Sequence, residues 1–270
     1  MRLRAVRDGI VLAGILISAF LVLQEVSRGW EGDPLAYWST TLENSYRDWV
    51  PGDPTHAYSP AWTQVFTPFT LLPWPMFRVL WLLIGLGAAI WLAWPVPRFW
   101  KPAFLAVCLV EVVAGNIILL LAVAAAVAIR YPFAWAFVLL TKASPGVALG
   151  WYVGRRDWRS LSIALGATVV IAGLSFLLVP DSWRGRVDTL SSNRDAQGVA
   201  TGSDLVPLPL RLAAGGLLAI WGGYTGRAWT IPVAMLLGTP HIWLQGFVIL
   251  AAIPRIEQAF RQSHDQRRPD

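Results

Sequence analysis

The sequence predicts an all-α polytopic membrane protein with about seven to ten transmembrane or half-membrane helices, and three observations carry this. The chain of 270 residues is 56% hydrophobic and only 14% charged. Several apolar runs approach the ~20 residues needed to cross a ~30 Å hydrocarbon core. Sixteen tryptophans suit anchoring at headgroup level, where an amphipathic indole is favoured. The net charge of +6 would also fit a nucleic-acid binder, but the arginines cluster beside the apolar runs, as positive-inside topology places them. No nucleic-acid partner is therefore expected. The single cysteine, Cys108, lies in an apolar run and allows no intramolecular disulfide.

Taken in order, Arg2, Arg4 and Arg7 precede an apolar run over 9–23 that reads as an uncleaved first span with a cytoplasmic N-terminus. Residues 28–60 then form a polar segment on the outer side. It carries five of the sixteen acids, Glu31, Asp33, Glu43, Asp48 and Asp53, with His56 and three tryptophans. A loop of that length is too long for a connector and is usually functional or disordered. Its aromatic content argues against disorder. Residues 33–46 suit an amphipathic helix lying on the surface, with Pro34 early in it, and 59–75, with four prolines, reads as an irregular re-entry.

Residues 76–94 form a second span returning to Arg98 and Lys101. The run over 102–129 is interrupted at Gly115-Asn116 and closed by Arg130. It reads as a hairpin of two short helices turning at 111–116, with one long helix as the competing reading. A second broken run covers 131–154, interrupted at Thr141-Lys142-Ala143-Ser144-Pro145. Broken helices at membrane depth are tolerated only beside protein or a wet cavity. Residues 160–179 run outward, so 180–207 becomes a second outer loop with Asp181, Asp188, Asp195 and Asp204 beside Arg184, Arg186 and Arg194. Residues 208–223 return inward, and 230–253 is broken at Thr239-Pro240 ahead of a basic tail. Whether this last run is a hairpin or a simple span stays open. The chain, 1–270, reads as one integral-membrane domain.

Several stretches match, in order, one family pattern: Gly32-Asp33 with Tyr37; Ala57-Tyr58-Ser59-Pro60 followed by Pro68; Gly115-Asn116-Ile117-Ile118-Leu119-Leu120; Thr141-Lys142-Ala143-Ser144-Pro145 with Arg155-Arg156-Asp157-Trp158-Arg159; and Thr239-Pro240-His241-Ile242-Trp243. In these pieces, over about 30 to 245, the chain resembles glycosyltransferase family 87, integral-membrane enzymes of GT-C architecture. The family is usually longer, and its last motif continues into a pair of histidines where Leu244, Gln245 and Gly246 stand here. The resemblance implies a GT-C-like bundle that uses a polyprenyl-phosphate sugar, typically mannose, as donor.

Inverting sugar transfer asks for one carboxylate to deprotonate the acceptor hydroxyl while the sugar–phosphate bond breaks through an oxocarbenium-like state. The resemblance places that acid soon after the first span, where Asp33 stands. Asp33 equally suits a plain helix cap ahead of Pro34. Asp53, in a Pro-Gly-Asp-Pro turn sequence, is the second acid. The leaving lipid phosphate asks for cations near the bilayer surface. Lys142, one of two lysines, is a candidate because an ionisable residue inside an apolar run is a functional hypothesis by default, with snorkelling as the alternative. Arg184 and Arg186 are further phosphate candidates or ordinary loop charges. Tyr37, His56, Tyr58 and His241 complete the expected substrate-binding set, and Glu111 either lines the cavity or sits at a hairpin turn.

There is no metal-ligand spacing, no P-loop and no dinucleotide fingerprint in the sequence, so no cofactor is expected. The expected partners are a polyprenyl-phosphate-linked sugar donor, a lipid or glycan acceptor and membrane lipids. The expected location is the plasma membrane with the active site outside. A transporter or lipid flippase, which also shows broken helices at mid-membrane, and a reduced, inactive homologue serving as an assembly partner are the competing readings.

Overall fold

The computed structural model describes residues 2–27, 32–42, 58–196, 206–240, 242 and 244–265. In chain order the helices are α1 (Arg2–Ser27), α2 (Gly32–Ser39), α3 (Pro60–Thr70), α4 (Trp74–Ala93), α5 (Lys101–Ala114), α6 (Ile118–Ala128), α7 (Trp135–Thr141), α8 (Gly150–Gly154), α9 (Trp158–Leu178), α10 (Pro180–Ala196), α11 (Leu208–Thr225), α12 (Thr230–Gly238) and α13 (Ile253–Asp265). Short 3-10 segments lie at Pro132–Ala134, Ser144–Leu149 and Leu244–Ala252. The described residues are all-α, as the composition predicts. Three helices, Val6–Ser27 within α1, α4 and α9, are long and apolar enough to cross a membrane.

Two ends of the bundle are defined by their contacts. At one, Arg7 lies over Phe99, Arg255 over Trp91, and Arg155 between Trp151 and Phe260, while Glu257 accepts from the Trp229 N–H at 3.0 Å. These stacked cations mark a basic end, where guanidinium groups gain from aromatic faces as well as from water. At the opposite end Trp38 Nε1 donates to the Leu72 carbonyl and the Ser59 N–H to the Leu140 carbonyl. The Arg211 guanidinium there donates to the Thr239 and Pro240 carbonyls, both at 2.7 Å.

With both ends fixed, the broken runs resolve as hairpins. Helix α5 leaves the basic end and stops at Gly115, whose φ of 73° ends it in the left-handed region. Helix α6 then returns, since its Ala128 carbonyl accepts from Tyr152 Oη at 2.8 Å, beside Trp151 and Arg155. At 11 residues and 1.5 Å each, α6 is about half a membrane long. Helix α7 comes back to Lys142, and the Ser144–Leu149 turn and α8 go down again. The final run behaves likewise. Helix α12 rises to Thr239, which Arg211 holds at the opposite end, and α13 lies at the basic end on Trp91 and Trp151 through Arg255 and Phe260. Helix α13 thus shares an end with Arg7. Close packing of these short pieces depends on small residues, as in membrane bundles generally. A Cβ on Gly154 would overlap the Ile220 carbonyl, and one on Gly223 the Trp151 carbonyl.

Three expectations need correction. Residues 59–75 are not irregular: Ser59 caps α3 by accepting from the Trp62 N–H, Pro60 occupies its first turn, and Pro68 sits inside it without ending it. Nor is α2 a surface helix reaching Tyr46. It ends at Ser39 and buries Tyr37 and Pro34, because a short segment beside an aromatic cluster gains more by inserting than by lying flat. The segment expected as a second outer loop begins as a helix, α10, with Asp181 in its first turn paired to Arg184 at 2.9 Å.

The Ser182 hydroxyl donates to the Leu42 carbonyl at 3.5 Å, placing α10 beside the chain that follows α2. Cysteines at exposed positions 39 and 184 should therefore label from one face of the membrane and a cysteine at 159 from the other, with native Cys108 buried and silent. Labelling of 39 and 184 from opposite faces would overturn this topology.

Candidate active site

Two of the helix breaks and the α2 entry meet at the end opposite the basic one. The Asn116 side chain, in the α5–α6 break, stands at the centre. Its Nδ2 donates to Asp33 Oδ2 in a short contact, and its Oδ1 accepts from Lys142 Nζ at 3.4 Å. One amide therefore joins an acid to a cation. Only this orientation works, since the flipped amide would set its NH₂ against the ammonium and its carbonyl against the carboxylate. Lys142 reaches the site because its backbone is extended, with φ −130° and ψ 101°, between α7 and the following 3-10 turn. Its Nζ lies 5.9 Å from the centre of the Tyr58 ring.

Asp33 is held by its backbone. A Cβ at Gly115 would overlap the Pro34 ring and crowd Arg78 Nη1, so α2 approaches the end of α5 as closely as glycine permits. The carbonyls released at that helix end are capped from α4: Arg78 Nη2 donates to Val113 and Trp81 Nε1 to Gly115, at 2.7 and 2.6 Å. Beneath them Tyr37 packs on Tyr58, Phe66 and Trp81, and its hydroxyl shares a 3.0 Å hydrogen bond with that of Tyr58. Burial pushes the Asp33 carboxyl above its ordinary value, with Lys142 and the Asn116 hydrogen bond pulling it part of the way back. Burial likewise keeps the Tyr37 and Tyr58 phenols above theirs. A half-buried acid of raised pKa beside a cation is a common arrangement for a general base facing a charged leaving group.

A crevice opens beside Asn116, between α4, α5 and α6, with about 240 Å³ of empty space including its mouth. Trp81, Gly85, Gly115, Asn116 and Leu119 line it, and Glu111 stands in its wall.

Residues 56–262, from just before α3 into α13, match the family model of glycosyltransferase family 87. The chain belongs to glycosyltransferase family 87. No curated protein and no solved structure matches it. As a family member with three span-length apolar helices, it is a membrane glycosyltransferase. The match begins after Asp33 and Tyr37, so α2 enters the site on geometry alone.

In this glycosyltransferase, four of the sequence-derived candidates come together: Asp33, Tyr37, Tyr58 and Lys142. Asp53, His56 and His241 lie outside the described residues. Arg184 is exposed on α10 in its pair with Asp181, and Arg186 is two residues further along the same helix. Asp33 stands in the first turn of α2 with its carboxylate turned to Asn116. Sequence reasoning passed over the bridging role of Asn116, and it passed over Arg78 and Arg211 altogether. Both arginines interrupt apolar runs, and a charge inside such a run is the signal that would have found them.

Proposed function

We propose that this glycosyltransferase moves a sugar, mannose in the first instance, from a polyprenyl phosphate to a lipid or glycan acceptor on the outer face, with inversion. The observation that carries the reading is the Asp33–Asn116–Lys142 arrangement: a base and a cation held one amide apart at one end of a membrane bundle. Asp33 takes the proton of the acceptor hydroxyl as that oxygen attacks the anomeric carbon. The bond from that carbon to the phosphate oxygen breaks, and the leaving lipid phosphate keeps the electron pair and is met by Lys142. A lysine suits this because its ammonium is a compact point charge able to follow the phosphate as charge builds. A polyprenyl donor suits the position, since its chain stays in lipid while its phosphate reaches the break at Lys142. The Tyr37–Tyr58 pair supports the lysine and gives the site its aromatic wall. The test is turnover of radiolabelled polyprenyl-phosphate mannose by the purified protein in lipid. Transfer of label to an acceptor supports the reading, and its absence with every polyprenyl-phosphate sugar tried would remove it.

A second measurement addresses the cation. Lys142→Met keeps the length and apolar stem of the side chain and removes its charge, so donor affinity should fall about tenfold or more, as for loss of a charge-assisted hydrogen bond. Folding should persist, because Lys142 is only half-buried. Unchanged donor affinity would make Lys142 a snorkelling residue.

A further inference from the structure

Glu111 is fully buried on α5, and neither of its carboxylate oxygens has a hydrogen-bond partner among the described residues. The backbone N–H of Ile118, at the start of α6, and the Lys142 ammonium act on it electrostatically, without a hydrogen bond of ordinary geometry. Buried polar groups are ordinarily satisfied, and a native exception asks for a reason. A glutamate of purely structural use would be expected to hold a cap or a cation, as Arg78 and Arg211 hold carbonyls in this bundle. Glu111 makes no such hydrogen bond of ordinary geometry among the described residues, and it borders the crevice that opens at Asn116.

The crevice has a definite size and chemistry. Its empty space of about 240 Å³ is mostly open mouth. Its enclosed part is no larger than one water molecule. At most a single hydroxyl fits there, and the Glu111 carboxylate borders it while fully buried. Its lining joins the Trp81 indole, two glycines and the Asn116 amide to the aliphatic Ile84, Val112, Leu119 and Leu120. Asn116 touches both the base and the lysine. A sugar whose anomeric carbon lies between acceptor and phosphate therefore has its ring at this mouth.

We infer that Glu111 reads the transferred sugar: one ring hydroxyl enters the floor of the crevice and donates its hydrogen to the Glu111 carboxyl. This rests on the proposed sugar transfer and makes Glu111 a specificity-determining residue of that same site. A site built to hydrogen-bond a substrate hydroxyl rejects the analogue lacking it far more strongly than an apolar pocket rejects a change of size, because the buried partner is left unsatisfied.

The experiment pairs protein and substrate changes. Transfer rates are measured for polyprenyl-phosphate mannose and for its mono-deoxy analogues, each lacking one ring hydroxyl, with wild type, Glu111→Gln and Glu111→Leu. In wild type one analogue should be slower than the parent by about 10²-fold or more, the others much less. In Glu111→Leu the parent should slow towards that analogue, and the preference between the two should shrink at least tenfold. Glu111→Gln keeps the volume and one acceptor oxygen and should fall between. Wild type that turns over the parent but treats all analogues alike, or variants that keep the wild-type preference, would overturn the inference while leaving the sugar transfer standing. Variants whose melting temperatures collapse together, with the glutamine form no better than the leucine form, would make Glu111 structural and overturn it too. Wild type inert towards every donor would remove the transfer reading itself, and this one with it.

Discussion

Asp33→Asn is expected to lower the transfer rate at least ~10²-fold while folding and donor binding persist, since removal of a general base costs about 10² to 10⁴-fold. The amide is nearly isosteric and keeps one acceptor oxygen, so the hydrogen bond from Asn116 can remain. It has no basicity with which to take a proton. The loss should fall on turnover with donor affinity nearly kept, because a base acts in the transition state and contributes little to ground-state binding. The pH profile provides an independent check. Burial raises the Asp33 pKa, so the reactive carboxylate is lost at a higher pH than for an exposed aspartate. Activity should fall as pH drops through that raised value and level off above it. The sign for stability is opposite. A carboxyl whose folded pKa is raised opposes folding once the pH exceeds its unfolded value, so Asp33→Asn should melt no lower than wild type at neutral pH. Turnover within about threefold of wild type would leave Asp33 a helix-entry residue only, because asparagine serves there as well as aspartate.

Gly115→Ala should both destabilise the protein and disable the site, by a route that touches no reacting group. The position has φ 73°, and an alanine Cβ would overlap the Pro34 ring. The left-handed conformation costs a non-glycine residue about 1–2 kcal/mol. Relieving an overpacked contact costs about 1–3 kcal/mol more. Together these amount to roughly 2–5 kcal/mol, enough to lower a melting temperature by several degrees in a chain of this size. Pro34 adjoins Asp33, so the displacement should also part Asp33 from Asn116 and bring turnover down with stability. A variant that melts within about a degree of wild type would show that α2 does not press on the end of α5.

The sequence made the class of the fold and much of the site legible, for local physical reasons. Long apolar runs with arginines at their ends predict spans whatever their neighbours do, and α1, α4 and α9 fall where such runs lie. Glycine, asparagine and proline inside an apolar run mark backbone that no regular helix satisfies. The breaks at Gly115 and Lys142 are accordingly where they were expected. Asp33, Tyr58 and Lys142 were legible because a charge or a motif at such a break is costly without a use. Proline was less informative. Pro68 sits within α3, where the four prolines of 59–75 had suggested irregular chain, since one missing donor in a capped helix is readily absorbed.

By itself, then, the sequence determined the apolar spans, the places where they break and which end of each carries arginine, because these depend on residues adjacent in the chain and on the solvent each meets. Only the tertiary structure decided that the interrupted runs turn back as hairpins, that α13 lies at the basic end, and that Asn116 holds Asp33 and Lys142 together across 83 and 26 positions of chain. It alone showed Arg78 and Arg211 capping carbonyls of other segments and Glu111 buried beside a crevice, with no hydrogen bond of ordinary geometry among the described residues. The reason is physical. A polar group in hydrocarbon must find its partner wherever the packing of distant helices brings one, and that pairing is recorded in no local pattern.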